Sequence, residues 1–142
     1  MYSRVIIPTD GSPCAKVGEK EGIEMAKALG LKVMALYVVD ASEYEGIHHH
    51  SIRESARTGF RERGLRSLER LKKYASEKGV EVDTVLREGK PYQEITSLAD
   101  EGDIIFISSH GASGFTKMFI GSTTDKVLKY AKCTVAVVKG VP

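Results

Sequence analysis

Five short apolar runs punctuate the chain, and the segments between them carry helical spacing. Arg4 to Thr9 (RVIIPT), Lys32 to Val39 (KVMALYVV), Ile104 to Ile107 (IIFI) and Thr134 to Val138 (TVAVV) are β-branched and nearly continuous in apolarity. That is the pattern of strands covered on both faces. Glu81 to Arg87 (EVDTVLR) alternates instead and predicts a more exposed strand at a sheet edge. Between the first two runs, Val17, Gly18, Gly22, Met25 and Leu29 recur at helical spacing, which predicts a helix over Pro13 to Leu29 with those residues toward the sheet. Ser12 is placed to cap it, Pro13 fits its first position and Gly30 its end. Glu54 to Lys78 predicts a long helix whose apolar stripe is Leu65, Leu68, Leu71, Tyr74 and Ala75, with Gly79 as its stop. Pro91 opens a short helix carrying Tyr92, Ile95, Leu98 and Ala99. A last helix runs from near Ser122 to Tyr130 or Ala131 and buries Val127 and Leu128. Asp40 to Arg53 has no clear period and reads as a loop of about 14 residues, longer than most connections.

Strands alternating with helices predict right-handed crossovers and a parallel sheet covered on both faces. The expected architecture is a three-layer α/β/α sandwich with a five-stranded parallel sheet and four main helices. A chain of 142 residues fits one such domain, spanning 1–142. No internal repeat, linker or low-complexity tract interrupts it. Ligands of such sheets sit at the carboxyl ends of the strands, at the topological switch point. Two loops are therefore of interest, the one after Thr9 and the one after Ile107.

Composition narrows the chemistry. With 21 basic and 19 acidic residues the net charge is +2, and the basic residues are scattered among acids. The clustered basic face of a nucleic-acid partner is missing, so none is expected. Trp is absent, so large aromatic platforms are not expected either. Cys14 and Cys133 are far apart and form no CxxC, which gives neither a disulfide framework nor a zinc site. Cys14 reads as a small helix residue and Cys133 as core. The expected compartment is the reducing cytoplasm, and no run of about 18 apolar residues suggests a membrane span.

The segment SSHGASGFTKMFIGSTTDKVL, Ser108 to Leu128, starts where a buried strand ends and finishes inside a helix. Gly111, Gly114 and Gly121 let backbone N–H groups approach an anion without a Cβ in the way. Gly121, Ser122, Thr123 and Thr124 lie at a helix N-terminus, where unpaired N–H groups, the helix dipole and three hydroxyls favour phosphate. The alternative is a loop that turns the chain, with Ser122 or Thr123 as an ordinary cap. The segment is neither a P-loop, since no Gly-Lys-Ser/Thr closes it, nor the G-x-G-x-x-G fingerprint. Asp10 admits two readings: an acceptor for a ribose hydroxyl or amino group, or a turn residue bonding its own backbone. His110 could touch a phosphate or move a proton, or be a surface group, and Lys117 could screen phosphate or be solvated. His48, His49 and His50 diverge as neighbours, and three in a row rarely complete one coordination sphere.

Ser108-x-x-Gly111, nine residues, then Gly121-Ser122 resembles the signature of ATP-binding universal stress proteins: Gly-x-x-Gly, nine residues, Gly and Ser or Thr. The ending FIGSTTDKVLKYAKCTVAVVKG and the opening VIIPTDGSPCAKVGEKEGIEMAKALG are similar to the same family, and the likeness covers about the whole chain in order. One position departs from the signature: Ser108 stands where its first glycine would be. The serine either crowds the ligand or donates its hydroxyl to a phosphate. The resemblance implies strand order 3-2-1-4-5 and a bound adenine nucleotide, ATP or AMP. It places Pro8, Thr9 and Asp10 beside adenine and ribose, Val38 on the adenine, Ile107 and Ser108 on the floor, and Gly111, Gly121, Ser122 and Thr123 at the phosphates, with Thr124 adjoining. A divalent cation, Mg2+ or Mn2+, would bridge phosphates through their oxygens and water. No residue pair has an evident acid, base or nucleophile role, which favours a regulatory binder over an enzyme. A weak ATP hydrolase or phosphotransferase and a nucleotide-free interaction module are the alternatives. The final strand, apolar and expected at an edge, would be covered by the same strand of a second copy, as the family's dimers are, or by Lys139 to Pro142.

Overall fold

The computed structural model describes residues 1–111 and 120–139. Strands β1 (Arg4–Pro8), β2 (Lys32–Asp40), β3 (Val82–Gly89), β4 (Asp103–Ser108) and β5 (Thr134–Val138) form one parallel sheet in the order β3-β2-β1-β4-β5. Helices α1 (Pro13–Leu29), α2 (Ser42–Glu45), α3 (His50–Glu77), α4 (Pro91–Leu98) and α5 (Ser122–Tyr130) connect them. Side chains alternate across the strands and fill two cores. Val5, Ile7, Tyr37 and Phe106 pack under α1 and α3, with Ile23, Leu68 and Leu71. Ile6, Leu36, Ile105 and Ile107 pack under α4 and α5, with Ile95 and Val127.

The local signals act as their chemistry demands. Ser12 accepts the Ala15 N–H at the start of α1, and Gly30 ends that helix in the left-handed region. The inward face of α1 is narrower than its apolar spacing suggests. Cys14, Ala15, Gly18, Glu19, Gly22, Ile23 and Ala26 are buried, whereas Val17 is only half-buried and Met25 and Leu29 are 40% and 48% exposed. A Cβ on Gly22 would stand 2.7 Å from Ile7 Cδ1, so the helix lies against the sheet along its glycines and turns larger residues outward. Leu65 on α3 and Leu128 on α5 are likewise exposed.

The segment from Asp40 to Arg53 is not one loop. Residues 42–45 form α2, and α3 begins at His50 rather than Glu54. Both are held by polar contacts that hydrophobic spacing does not report. Tyr44 donates to Glu88 on β3 at 2.9 Å, and Arg57 and Arg61 donate to the same carboxylate.

At the amino ends of the central strands, Arg4 donates to both oxygens of the buried Asp103 at 3.0 and 3.1 Å, joining β1 to β4. At the carboxyl ends the two strands part. β1 is in register with β2 through Pro8, but with β4 only through Ile6 opposite Ile105. β1 then stays with β2, Thr9 N–H donating to Leu36, while β4 continues along β5 to Ser108.

Candidate functional site

The parting of β1 and β4 opens a cavity of about 410 Å³. Pro8, Thr9 and Asp10 border it from β1 and Val38 from β2, while Ile107, Ser108 and Gly111 approach from β4. Gly121, Ser122, Thr123 and Thr124 close it at the start of α5. The residues singled out in the sequence are thus brought together around one space. Gly114 and Lys117 lie outside the described residues.

The turn after β1 is built from its own polar groups. Thr9 Oγ1 accepts the Gly11 N–H at 3.0 Å, and Asp10 Oδ1 accepts the Ser12 N–H at 2.9 Å. Gly11 has φ +75°, and a Cβ there would stand 2.5 Å from Ser67 Oγ on α3. Asp10 Oδ2 reaches across the cavity mouth to Gly111, where a Cβ would stand 2.6 Å away. The turn reading of Asp10 is the one these hydrogen bonds show: Oδ1 ties the turn, while Oδ2 faces the β4 loop.

The turn after β4 is tied as closely. Ser108 donates its hydroxyl to the His110 carbonyl at 2.7 Å. Its Cβ points to α1, 3.3 Å from where a Cβ on Gly18 would be. Thr124 donates to the Ser108 carbonyl at 2.8 Å, and Gly121 N–H donates to Ser109 at 2.7 Å. Thr124 is therefore committed to joining α5 to β4, while Ser122 is exposed and Thr123 half-buried. Gly121 is the N-cap of α5, and no side chain among the described residues caps it. The first turn thus presents backbone donors at the cavity, the geometry in which helix ends hold anions. His110 lines the cavity beside them, its Nδ1 2.8 Å from Ser109 Oγ.

Some lining residues carry no signal in the sequence. Tyr37, Asp40 and Glu43 come from β2 and α2, and Phe60 and Arg63 from α3. Arg63 is the only lysine or arginine that lines the cavity among the described residues, and its guanidinium stands 5.6 Å from the Phe60 ring centre. Burial pushes the Tyr37 phenol up, the Asp10 charge adds to this, and Arg63 opposes it. Pro91 and Ile95 add an apolar wall from the α4 side. The space thus has an apolar end near Val38 and Ile95 and a donor-rich end at Gly121 to Thr123. His48, His49 and His50 are exposed; His49 Nδ1 meets Ser51 and His50 Nδ1 meets Arg53. No cluster of three or more His, Cys, Asp or Glu that could hold a metal occurs among the described residues. None of their helices is long and apolar enough to cross a membrane.

Residues 1–139 match the profile of the universal stress protein family. Universal stress protein MJ0531 of Methanocaldococcus jannaschii is 36% identical over 141 residues, covering 98% of this chain and 83% of that protein. The solved structure of MJ0577, a universal stress protein of the same organism, superposes with a TM-score of 0.83 at 27% identity, covering 100% of this chain and 99% of the other. More distant structures share the fold. A universal stress protein solved in complex with cAMP has a TM-score of 0.73 at 18% identity, covering 99% of both chains. One from Archaeoglobus fulgidus in complex with dAMP has 0.64 at 18% identity, covering 97% of this chain and 98% of the other. From its first strand to the end of β5, the chain belongs to the universal stress protein family.

Proposed function

We propose that this protein binds an adenine nucleotide, ATP or AMP, in the cavity between β1 and β4, and acts in regulation or the stress response as a dimer. The observation that carries the reading is the convergence of two kinds of surface on one space. An apolar wall at Pro8, Val38 and Ile95 suits a base, and the start of α5 at Gly121 to Thr123, which no side chain among the described residues caps, suits phosphate. Asp10 lines the same cavity and would accept from the sugar. The volume, about 410 Å³, falls within the roughly 300–1,000 Å³ of small-molecule sites. The cAMP and dAMP held by two proteins of this fold support an adenine ligand.

In this reading the whole chain serves as one nucleotide-binding domain. Mg2+ or Mn2+, if used, would enter on phosphate oxygens and water, with Asp10, Asp40 and Glu43 as the carboxylates at hand. The second copy would pair along β5, which has β4 as its neighbour on one side and is half-buried over Val135 to Val138. A nucleotide-free interaction module is the second reading, motivated by Ser108 at the place of the signature's first glycine. Mass spectrometry of small molecules retained through purification, followed by calorimetric titration with ATP and AMP, tests both. Heat of binding at micromolar to millimolar nucleotide supports the first reading, and none at millimolar nucleotide supports the second.

A further inference from the structure

Glu19 is a carboxylate on the buried face of a helix, among Cys14, Ala15, Gly18, Gly22, Ile23 and Ala26. Its side chain is only 3% exposed. Taking a carboxylate out of water is costly, and an apolar residue of similar size would fill the space without that cost. Its partners indicate what the charge holds. Arg70 reaches over from α3 and donates to both oxygens at 3.0 and 3.1 Å. Oε2 also accepts the Thr9 hydroxyl at 2.5 Å. Thr9 Oγ1 in turn accepts the Gly11 N–H. One hydrogen-bonded chain runs from the half-exposed Arg70 to the turn on the cavity floor.

The direction of that chain is fixed by chemistry. An ionised carboxylate only accepts, so the single proton of Thr9 goes to Glu19. The hydroxyl is then left to the turn as an acceptor and draws the Gly11 N–H toward it. Thr9 has no proton for a ligand. What the turn offers the cavity is Asp10, between Thr9 and Gly11, whose Oδ2 faces Gly111.

We infer that Glu19 and Arg70 are positioning residues for the sugar side of the site: they orient the Thr9 hydroxyl, which closes the turn that aims Asp10 into the cavity. The inference rests on the nucleotide reading above. The gain is preorganisation, since a turn already closed loses no freedom when ligand arrives.

The test compares Thr9→Val, which keeps the shape and deletes the hydroxyl, with Glu19→Gln and Thr9→Ser. AMP and free adenine are titrated into each, and amide exchange at Gly11 is followed without ligand. Thr9→Val and Glu19→Gln are expected to weaken AMP by roughly fivefold or more, the scale of one hydrogen bond, with a smaller loss for adenine. Gly11 exchange speeds up in these two alone, and Thr9→Ser retains wild-type behaviour. If Glu19→Gln does not fold, Arg70→Gln, altered at the exposed end of the chain, carries the same comparison. Equal losses for adenine and AMP would reduce the effect to general loosening and overturn the inference. Unchanged AMP affinity in Thr9→Val, with the wild type binding, overturns it and leaves the nucleotide reading intact. A wild type that binds neither AMP nor ATP overturns both.

Discussion

Gly18 and Ser108 touch so closely that a Cβ on Gly18 would lie 3.0 Å from the Ser108 amide nitrogen and 3.3 Å from its Cβ. The neighbour is backbone at the carboxyl end of β4, held there against β5, which cannot move aside as a flexible side chain would. Alanine normally stabilises a helix over glycine by up to about 1 kcal/mol. Here Gly18→Ala is expected to destabilise by about 1–2 kcal/mol, because overpacking outweighs propensity. Chemical denaturation of Gly18→Ala, Ser108→Gly and the double variant measures the coupling. The double variant should recover part of the loss, and strict additivity would mean that the two do not press on each other.

The same contact bears on ligand binding. The Ser108 side chain leans on α1 and spends its proton on the His110 carbonyl. Ser108→Gly therefore frees that carbonyl and loosens the turn without enlarging the ligand's space. ATP affinity is expected to fall by roughly two- to fivefold, the worth of a modest hydrogen bond. A tenfold gain by calorimetry would instead identify Ser108 as an obstruction.

Gly121 has φ −59°, a conformation open to any residue, and caps α5 without a side chain of its own. Aspartate is among the best N-caps, so Gly121→Asp should leave thermal stability at or near the wild-type value, the close approach of Ser109 O (3.3 Å) being the one opposing contact among the described residues. Its carboxylate would take the backbone donors and repel phosphate. ATP affinity is expected to drop by about two orders of magnitude, or ~3 kcal/mol. Retained affinity in a folded Gly121→Asp would move the phosphates away from α5.

Arg63 offers a separate handle on the anion. As the one arginine or lysine lining the cavity among the described residues, it shares the space with Asp10, Asp40 and Glu43. Arg63→Gln should weaken ATP by roughly tenfold and adenosine by much less, as expected for loss of a charge-assisted bond. Equal effects on both ligands, by titration, would place Arg63 against the base or sugar.

Glu88 links acidity to the hold of α2 and α3 on β3. The Arg57 hydrogen bond, with help from Arg61 and Tyr44 and opposed by partial burial, lowers its carboxyl from 4.5 to about 2. A depressed folded value means that ionised Glu88 stabilises the fold above about pH 4.5, and that this is lost as pH falls toward about 2. Glu88→Gln should cost about 1–2 kcal/mol at neutral pH, discounted for half-exposed arginines, and should flatten the pH dependence in that window. Melting curves of both proteins from neutral to acid conditions check this. Parallel curves would sink the assignment.

The fold was legible where one physical cause dominates. IIFI and TVAVV read as strands because a doubly covered strand tolerates little else, and Ser12-Pro13 and Gly30 bracket α1 because caps are local chemistry. The inward face of α1 differs from its apolar spacing because glycine and alanine carry its packing, Glu19 is buried there, and Met25 and Leu29 turn outward. The start of α3 at His50 leaves no mark in the apolar spacing because its first turns rest on the Glu88 cluster rather than on an apolar stripe. In the site, Gly111 and Gly121 announce themselves by spacing along one stretch of chain. Arg63 does not, because its approach to the cavity depends on how α3 crosses the sheet. Nor does the link of Thr9 to Arg70, which runs through Glu19 to a helix residue 51 positions further along the chain.

The depth of the crevice is decided by where the central ladder stops. β1 and β4 remain zipped only to Ile6 and Ile105, two residues short of where β1 ends against β2. One more rung of pairing would seal the hollow from below, and one fewer would drop its floor into the core. How much ligand this architecture can admit is therefore a property of main-chain knitting, and swapping side chains around the rim would retune what is held without changing how deep it sits.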